Sequence, residues 1–121
     1  MATILTVDDS PSVRQMIKLV LGPAGHAVVE AGDGSEGLVK AKAQNFDLVI
    51  TDLNMPIMDG LTMIEELRKL PEHMGVPIIF LTTESDADLK ARAKAAGATG
   101  WLTKPFDPEN LIKITRKVLG R

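Results

Sequence analysis

The chain has 121 residues, with 14 Lys+Arg against 16 Asp+Glu, no cysteine and 45% hydrophobic side chains, which suits one ordinary globular domain. The missing cysteine excludes a disulfide framework, a thiolate zinc site, an iron–sulfur cluster and a cysteine nucleophile. A formal charge of -2 argues against a general nucleic-acid binder, and 3% aromatic content against base-stacking or flavin-sandwiching surfaces. The N-terminus has no basic stretch before Asp8 and Asp9, and no apolar run nears the roughly 20 residues of a membrane span. A cytoplasmic protein is expected.

In chain order, Ile4–Val7 is a short apolar run that predicts a first strand. Ser10 then suits a helix N-cap and Pro11 the first helical position. Val13, Met16, Ile17, Val20 and Leu21 make one apolar stripe of that helix, which Gly22, Pro23 and Gly25 stop. Ala27–Ala31 is a weaker strand and Gly34–Ala43 a second helix. Phe46–Thr51 predicts a third strand, and Leu61, Ile64, Leu67 and Leu70 a third helix ended by Pro71. Val76–Thr82 predicts a fourth strand and Asp86–Ala96 a fourth helix, stopped by Gly97. Thr99–Thr103 is a short fifth strand, and Pro108–Leu119 a fifth helix with Leu111, Ile114 and Val118 inward. Near-continuous β-branched runs mark strands buried on both faces of a parallel sheet. Repeated strand–helix units with right-handed crossovers predict an α/β, doubly wound fold with helices on both faces. Residues 1–121 leave no length for a second domain.

In such sheets the functional crevice lies at the carboxyl ends of the strands. The first strand ends in Asp8-Asp9, the third at Asp52, the fourth at Thr82-Thr83 and the fifth at Lys104-Pro105. Carboxylates about 5 Å apart repel by roughly 3 kcal/mol at an effective dielectric of 20, so three of them call for a cation. Hard carboxylate oxygens with room for water suit Mg²⁺ better than zinc. Metal, the Lys104 ammonium and the Thr82 hydroxyl together suit the oxygens of a transferring phosphoryl group. An Asp carboxylate is itself a competent nucleophile, giving an aspartyl phosphate.

The ordered set Asp8-Asp9, Asp52 in Asp52-Leu53-Asn54-Met55-Pro56 with Asp59-Gly60 beyond, Thr82, and Lys104-Pro105-Phe106 resembles the receiver domain of two-component response regulators over essentially the whole chain. The resemblance implies a (βα)₅ flavodoxin-like three-layer sandwich with a parallel sheet of order 2-1-3-4-5. It implies Asp52 as phosphoacceptor, Mg²⁺ on Asp9, Asp52 and the Asn54 main chain with Asp8 acting through water, and Lys104 on the phosphoryl group before a cis Pro105. Thr82 is implied to couple to the aromatic residue of the fifth strand, here Trp101 where the family more often has Tyr or Phe. Asn54 and Glu84 are implied to tune hydrolysis of the aspartyl phosphate, in the pairing of fast-resetting chemotaxis regulators. Gly97-Ala98-Thr99-Gly100-Trp101 and Lys104-Pro105-Phe106 resemble the stand-alone, CheY-type chemotaxis branch. That branch implies a CheA-like sensor histidine kinase, a flagellar motor switch protein bound on the helix 4–strand 5–helix 5 face, a phosphatase in some systems, and a monomer. With no output domain expected after the fifth helix, output is binding rather than catalysis, and the chain is not read as an enzyme.

Each feature alone has a plainer reading. Asp8-Asp9-Ser10 suits a helix cap, Asp52–Pro56 a turn, Thr82 and Thr83 a strand, and Lys104 a surface lysine. His26 and His73 read as surface histidines, and Lys90, Arg92 and Lys94 as a solvated helix face. The ordered combination on four strand ends is what singles the residues out. Three rivals differ in class. An Asp-nucleophile phosphatase normally has a second Asp two residues on, where Asn54 stands here. A flavodoxin-like carrier would need a hydroxyl- and Gly-rich phosphate loop in place of Asp8-Asp9. A phosphorelay intermediate or phosphate sink shares the receiver chemistry and differs only in its partner.

Overall fold

The computed structural model describes residues 2–53, 55–82 and 87–120, without the side chain of Leu89. Asn54 and Glu84, both expected to tune hydrolysis, lie outside the described residues. Among those described, the elements run β1 (Thr3–Val7), α1 (Pro11–Leu21), β2 (Ala27–Ala31), α2 (Gly34–Ala43), β3 (Leu48–Asp52), α3 (Gly60–Leu67), a short 3₁₀ turn (Pro71–His73), β4 (Ile78–Thr82), α4 (Ala87–Ala95), β5 (Gly100–Thr103) and α5 (Pro108–Leu119). The strands form one sheet of order β2-β1-β3-β4-β5, every neighbouring pair parallel. This is the doubly wound arrangement expected from the strand–helix pattern, in the flavodoxin-like strand order that the resemblance implied.

Side chains alternate across a strand, and two separate cores follow. Leu5, Val7, Val49, Ile78 and Phe80 pack with Leu38 and Ala41 of α2, Met63, Ile64 and Leu67 of α3, and Ala93 of α4. Ile4, Leu48, Ile50, Ile79 and Leu81 pack with Ile17 and Leu21 of α1 and Leu111 of α5. The central strands β3 and β4 are buried throughout. That double burial explains their unbroken apolar runs and removes any alternation from the sequence. Burial of each large aliphatic side chain contributes roughly 1.5–3 kcal/mol.

Helix starts are set by local chemistry. Ser10, Asp33, Asp59 and Asp107 each accept the N–H of the residue three further on, and Pro11 and Pro108 take first-turn positions. The third helix ends at Leu67 rather than running to Pro71. Leu70 still packs against the core, which accounts for its place in the apolar pattern. The 3₁₀ turn that follows carries His73 into the interior, fully buried, with its ring 6.2 Å from that of Phe46. The surface reading of His73 is therefore corrected: a turn with no apolar periodicity of its own folded it inward. His26 is half-buried, and its Nδ1 accepts the Ala2 N–H at 3.2 Å.

Arg68, just past α3, donates to the His73 carbonyl at 2.8 Å and to the Gly97 carbonyl at 2.6 Å. It thereby ties the end of α3 to the α4–β5 turn, where Gly97 adopts φ +108°. No helix among the described residues is long and apolar enough to cross a membrane.

Candidate active site

The carboxyl ends of β1, β3 and β4 and the segment after β5 meet at one end of the sheet. Parallel strands make this unavoidable, since each apolar run must end at the same edge. Asp52 is the last residue of β3 and pairs in register with Leu81 of β4. Asp8 and Asp9 follow β1 directly. Asp8 is fully buried and Asp9 exposed, and carboxylate oxygens of Asp8, Asp9 and Asp52 all lie within 4.8 Å of one another.

Lys104 provides the counter-charge. Its Nζ stands 3.0 Å from Asp8 Oδ2 and 3.2 Å from Asp52 Oδ2. The other oxygen of Asp52 accepts the Leu53 N–H at 2.8 Å, and Asp8 Oδ1 accepts the Ser10 N–H at 2.9 Å. The backbone N–H of Lys104 donates to the Thr82 carbonyl at 2.6 Å, extending the β4–β5 ladder up to the site. The Lys104–Pro105 bond is cis, as the resemblance implied. Thr82 is buried at the end of β4.

Two environments shape the charges. Burial pushes the Asp52 carboxyl above its ordinary 3.8; Lys104 opposes this, Asp8 adds to it, and the balance stays raised. Burial works against the Lys104 ammonium, yet its hydrogen bond to Asp8 and the charges of Asp52 and Asp8 carry its pKa above 10.5. One ammonium thus faces more negative charge than it neutralises, and the surplus is what a divalent cation would balance. The donors among the described residues fit Mg²⁺: three carboxylates, one of them exposed, with no sulfur or imidazole in the group.

Of the residues singled out in sequence, the structure brings Asp8, Asp9, Asp52 and Lys104 together, with Thr82 alongside through its main chain. Trp101 stands apart on the edge strand β5, 40% exposed, its ring on that of Phe80. Arg92 and Lys94 are exposed as expected, whereas Lys90 is half-buried with its Nζ over the Trp101 ring. Sequence reading also missed Arg14. Its guanidinium donates to the Asp8 carbonyl and pairs with Glu30 at 3.2 Å, bracing the loop that carries two of the carboxylates. Its place on the half-buried border of α1, six residues after Asp8, was the available signal. Asp59 and Gly60 gain a physical reason too. Asp59 caps α3, and a Cβ at Gly60 would overlap the Asp52 carbonyl oxygen.

Sheet order, the strand-end acids and the lysine define a doubly wound α/β fold with an acidic pocket at the carboxyl edge of its sheet. The family model described as response regulator receiver domain matches residues 4–116. The chain belongs to that family, whose members signal through phosphorylation. It is 47% identical to the chemotaxis response regulator CheY4 of Vibrio cholerae, whose structure superposes with a TM-score of 0.94 over 98% of each chain. It is 37% identical to protein PilH of Pseudomonas aeruginosa over 99% of both chains. The receiver domain of the sensor histidine kinase PA1611 of P. aeruginosa PAO1 is 29% identical, with a TM-score of 0.91 over 99% of this chain and 98% of that one. That structure has a magnesium ion coordinated in its active-site cleft. The chain spans about half the length of several transcriptional regulators that it also matches.

Proposed function

We propose that this protein is a phosphorylation-activated switch in a motility signal, phosphorylated on Asp52 by a sensor histidine kinase. The observation that carries the reading is the meeting of Asp8, Asp9, Asp52 and Lys104 at one end of the sheet. In the transfer, an Asp52 oxygen forms a bond to phosphorus as the bond from phosphorus to the kinase imidazole nitrogen breaks, and the imidazole departs with that electron pair. The Leu53 N–H fixes Oδ1, and Lys104 stands at Oδ2 to balance the negative charge of the arriving group. Asp8, Asp9 and Asp52, with Asn54, would hold Mg²⁺, which when bound neutralises phosphoryl charge. Thr82 and Trp101 act as the coupled switch, and Asn54 and Glu84 set the lifetime of the aspartyl phosphate.

Output is by binding: the α4–β5–α5 face engages a flagellar motor switch protein in the cytoplasm, and the protein is not a turnover enzyme. The likeness to CheY4 supports the chemotaxis assignment. The full-length likeness to PilH favours a second reading, regulation of pilus-based motility. Intact-mass spectrometry after acetyl phosphate, with and without Mg²⁺, tests the chemistry. A single Mg²⁺-dependent phosphoryl adduct, lost in Asp52→Asn, is expected; no adduct on folded protein refutes it. Capture of a motor switch protein only in the phosphorylated state separates the first partner from the second.

A further inference from the structure

Trp101 is held between two unlike partners. One face stacks on Phe80 of β4, with ring centroids 6.2 Å apart and planes inclined by 25°. On the α4 side, Lys90 places its Nζ 4.8 Å from the indole centroid. The neighbouring Arg92 and Lys94 are exposed, whereas Lys90 is half-buried. Phe80 and Trp101 are register partners, two residues before the Thr82–Thr103 pair. The ring therefore sits along the same two strands that end at the phosphoacceptor site.

We propose that Lys90 is a positioning residue: it latches Trp101 in its outward seat and so sets the resting bias of the switch. This rests on Thr82 and Trp101 being the coupled switch. For the indole to leave this seat, the ammonium must give up the ring face. A cation–π contact at a partly exposed site favours the latched state by about two- to fivefold. Coupling between two sites is reciprocal, so the latch weakens binding of a phosphoryl group or its mimic by up to that factor. Indole is the strongest cation–π acceptor among the side chains, which suits Trp at this position.

Trp101 is the one tryptophan of the chain, so 5-fluorotryptophan labelling yields a single ¹⁹F resonance that reports its seat. The resonance is followed in wild type, Lys90→Met and Lys90→Arg, through titration with beryllofluoride in Mg²⁺. Lys90→Met keeps the aliphatic stem without charge; its resting resonance is expected to lie displaced toward the mimic-saturated position. Its affinity for the mimic should be higher, by up to about two- to fivefold. Lys90→Arg, which keeps the cation, should match wild type on both. Lys90→Met indistinguishable from wild type overturns the proposal, as does Lys90→Arg behaving like Lys90→Met. A wild-type resonance that stays fixed while beryllofluoride is bound refutes the Trp101 switch and the latch with it. Failure of wild type to bind the mimic at all refutes instead the phosphoacceptor reading on which both stand.

Discussion

Replacing Asp52 by Asn should make the metal-free protein more stable, although it removes half of an ion pair. At an effective dielectric of 20, the attraction of Lys104 Nζ to Asp52 Oδ2 at 3.2 Å is about 5 kcal/mol. The repulsion between Asp52 and one neighbouring carboxylate at the 4.8 Å limit of the cluster is about 3.5 kcal/mol. These nearly cancel, and burial decides the sign: the Asp52 carboxyl is held above 3.8. The folded state therefore binds a proton more tightly than the unfolded state does. Below 3.8 ionisation of Asp52 costs the fold nothing; as pH rises from there through the raised folded pKa, stability is lost, and the loss is complete above it. Asn can still accept the Leu53 N–H, and Lys104 keeps Asp8 at 3.0 Å. Asp52→Asn should therefore be the more stable protein at pH 7, each unit of pKa displacement being worth about 1.4 kcal/mol. Urea unfolding of both proteins without Mg²⁺, at steps from pH 4 to pH 8, reads the gap. It should open with rising pH and then stay level, and added Mg²⁺ should stabilise wild type far more than the variant. A wild type more stable than Asp52→Asn at pH 7 without metal, or a gap constant across the series, would refute the reasoning.

Three further outcomes follow from other parts of the fold. Ile57 is 85% exposed at φ 69°, a backbone region that costs a β-branched residue roughly 1–2 kcal/mol; Ile57→Asn should raise unfolding free energy by about 1 kcal/mol, and no gain in a denaturant titration counts against strain there. Gly60→Ala should destabilise by about 3 kcal/mol and weaken Mg²⁺ binding measured calorimetrically, because its Cβ would displace the Asp52 carbonyl. Burial holds the His73 imidazole below 6.5, with Glu72 opposing and Arg68 adding to the effect. Stability is thus lost as pH falls below 6.5 toward the folded value, by up to about 1.4 kcal/mol per pH unit. His73→Phe should remove that loss, so the gap between the two proteins widens from pH 7.5 to pH 5.5; parallel unfolding curves at both values would exclude it.

The elements legible in sequence were those whose ends carry their own chemistry. Ser10, Pro11 and Gly22 bracket α1 residue for residue, and α2 and α5 begin and end where their patterns do. The third and fourth strands were drawn two residues too long at their starts, whereas β1 begins one residue before its apolar run and β2 where expected. Phe46 and Val76 are apolar because they plug the core below the sheet, ahead of the ladder that begins at Leu48 and Ile78. The acids and the lysine were legible because parallel topology turns four separate strand ends into one place. What stayed hidden depends on pairs that only the fold creates. Lys90 and Trp101 meet through the packing of α4 beside β5, Arg14 reaches a main-chain carbonyl, and His73 is buried by a turn without periodicity.

The Arg68 tie has a mechanical consequence. It fastens the turn after α4 to the end of α3, while along α4 Ala93 is the one fully buried residue among the described side chains. A helix anchored at its tail is a lever with a fixed fulcrum. From Ala87 to Ala95 it spans nine residues, about 13 Å at 1.5 Å per residue, so a tilt of about 10° about that fulcrum carries the leading end by about 2 Å. Among the described side chains of α4, Ala93 alone is buried against such a tilt, and the Arg68 tie sets where it pivots.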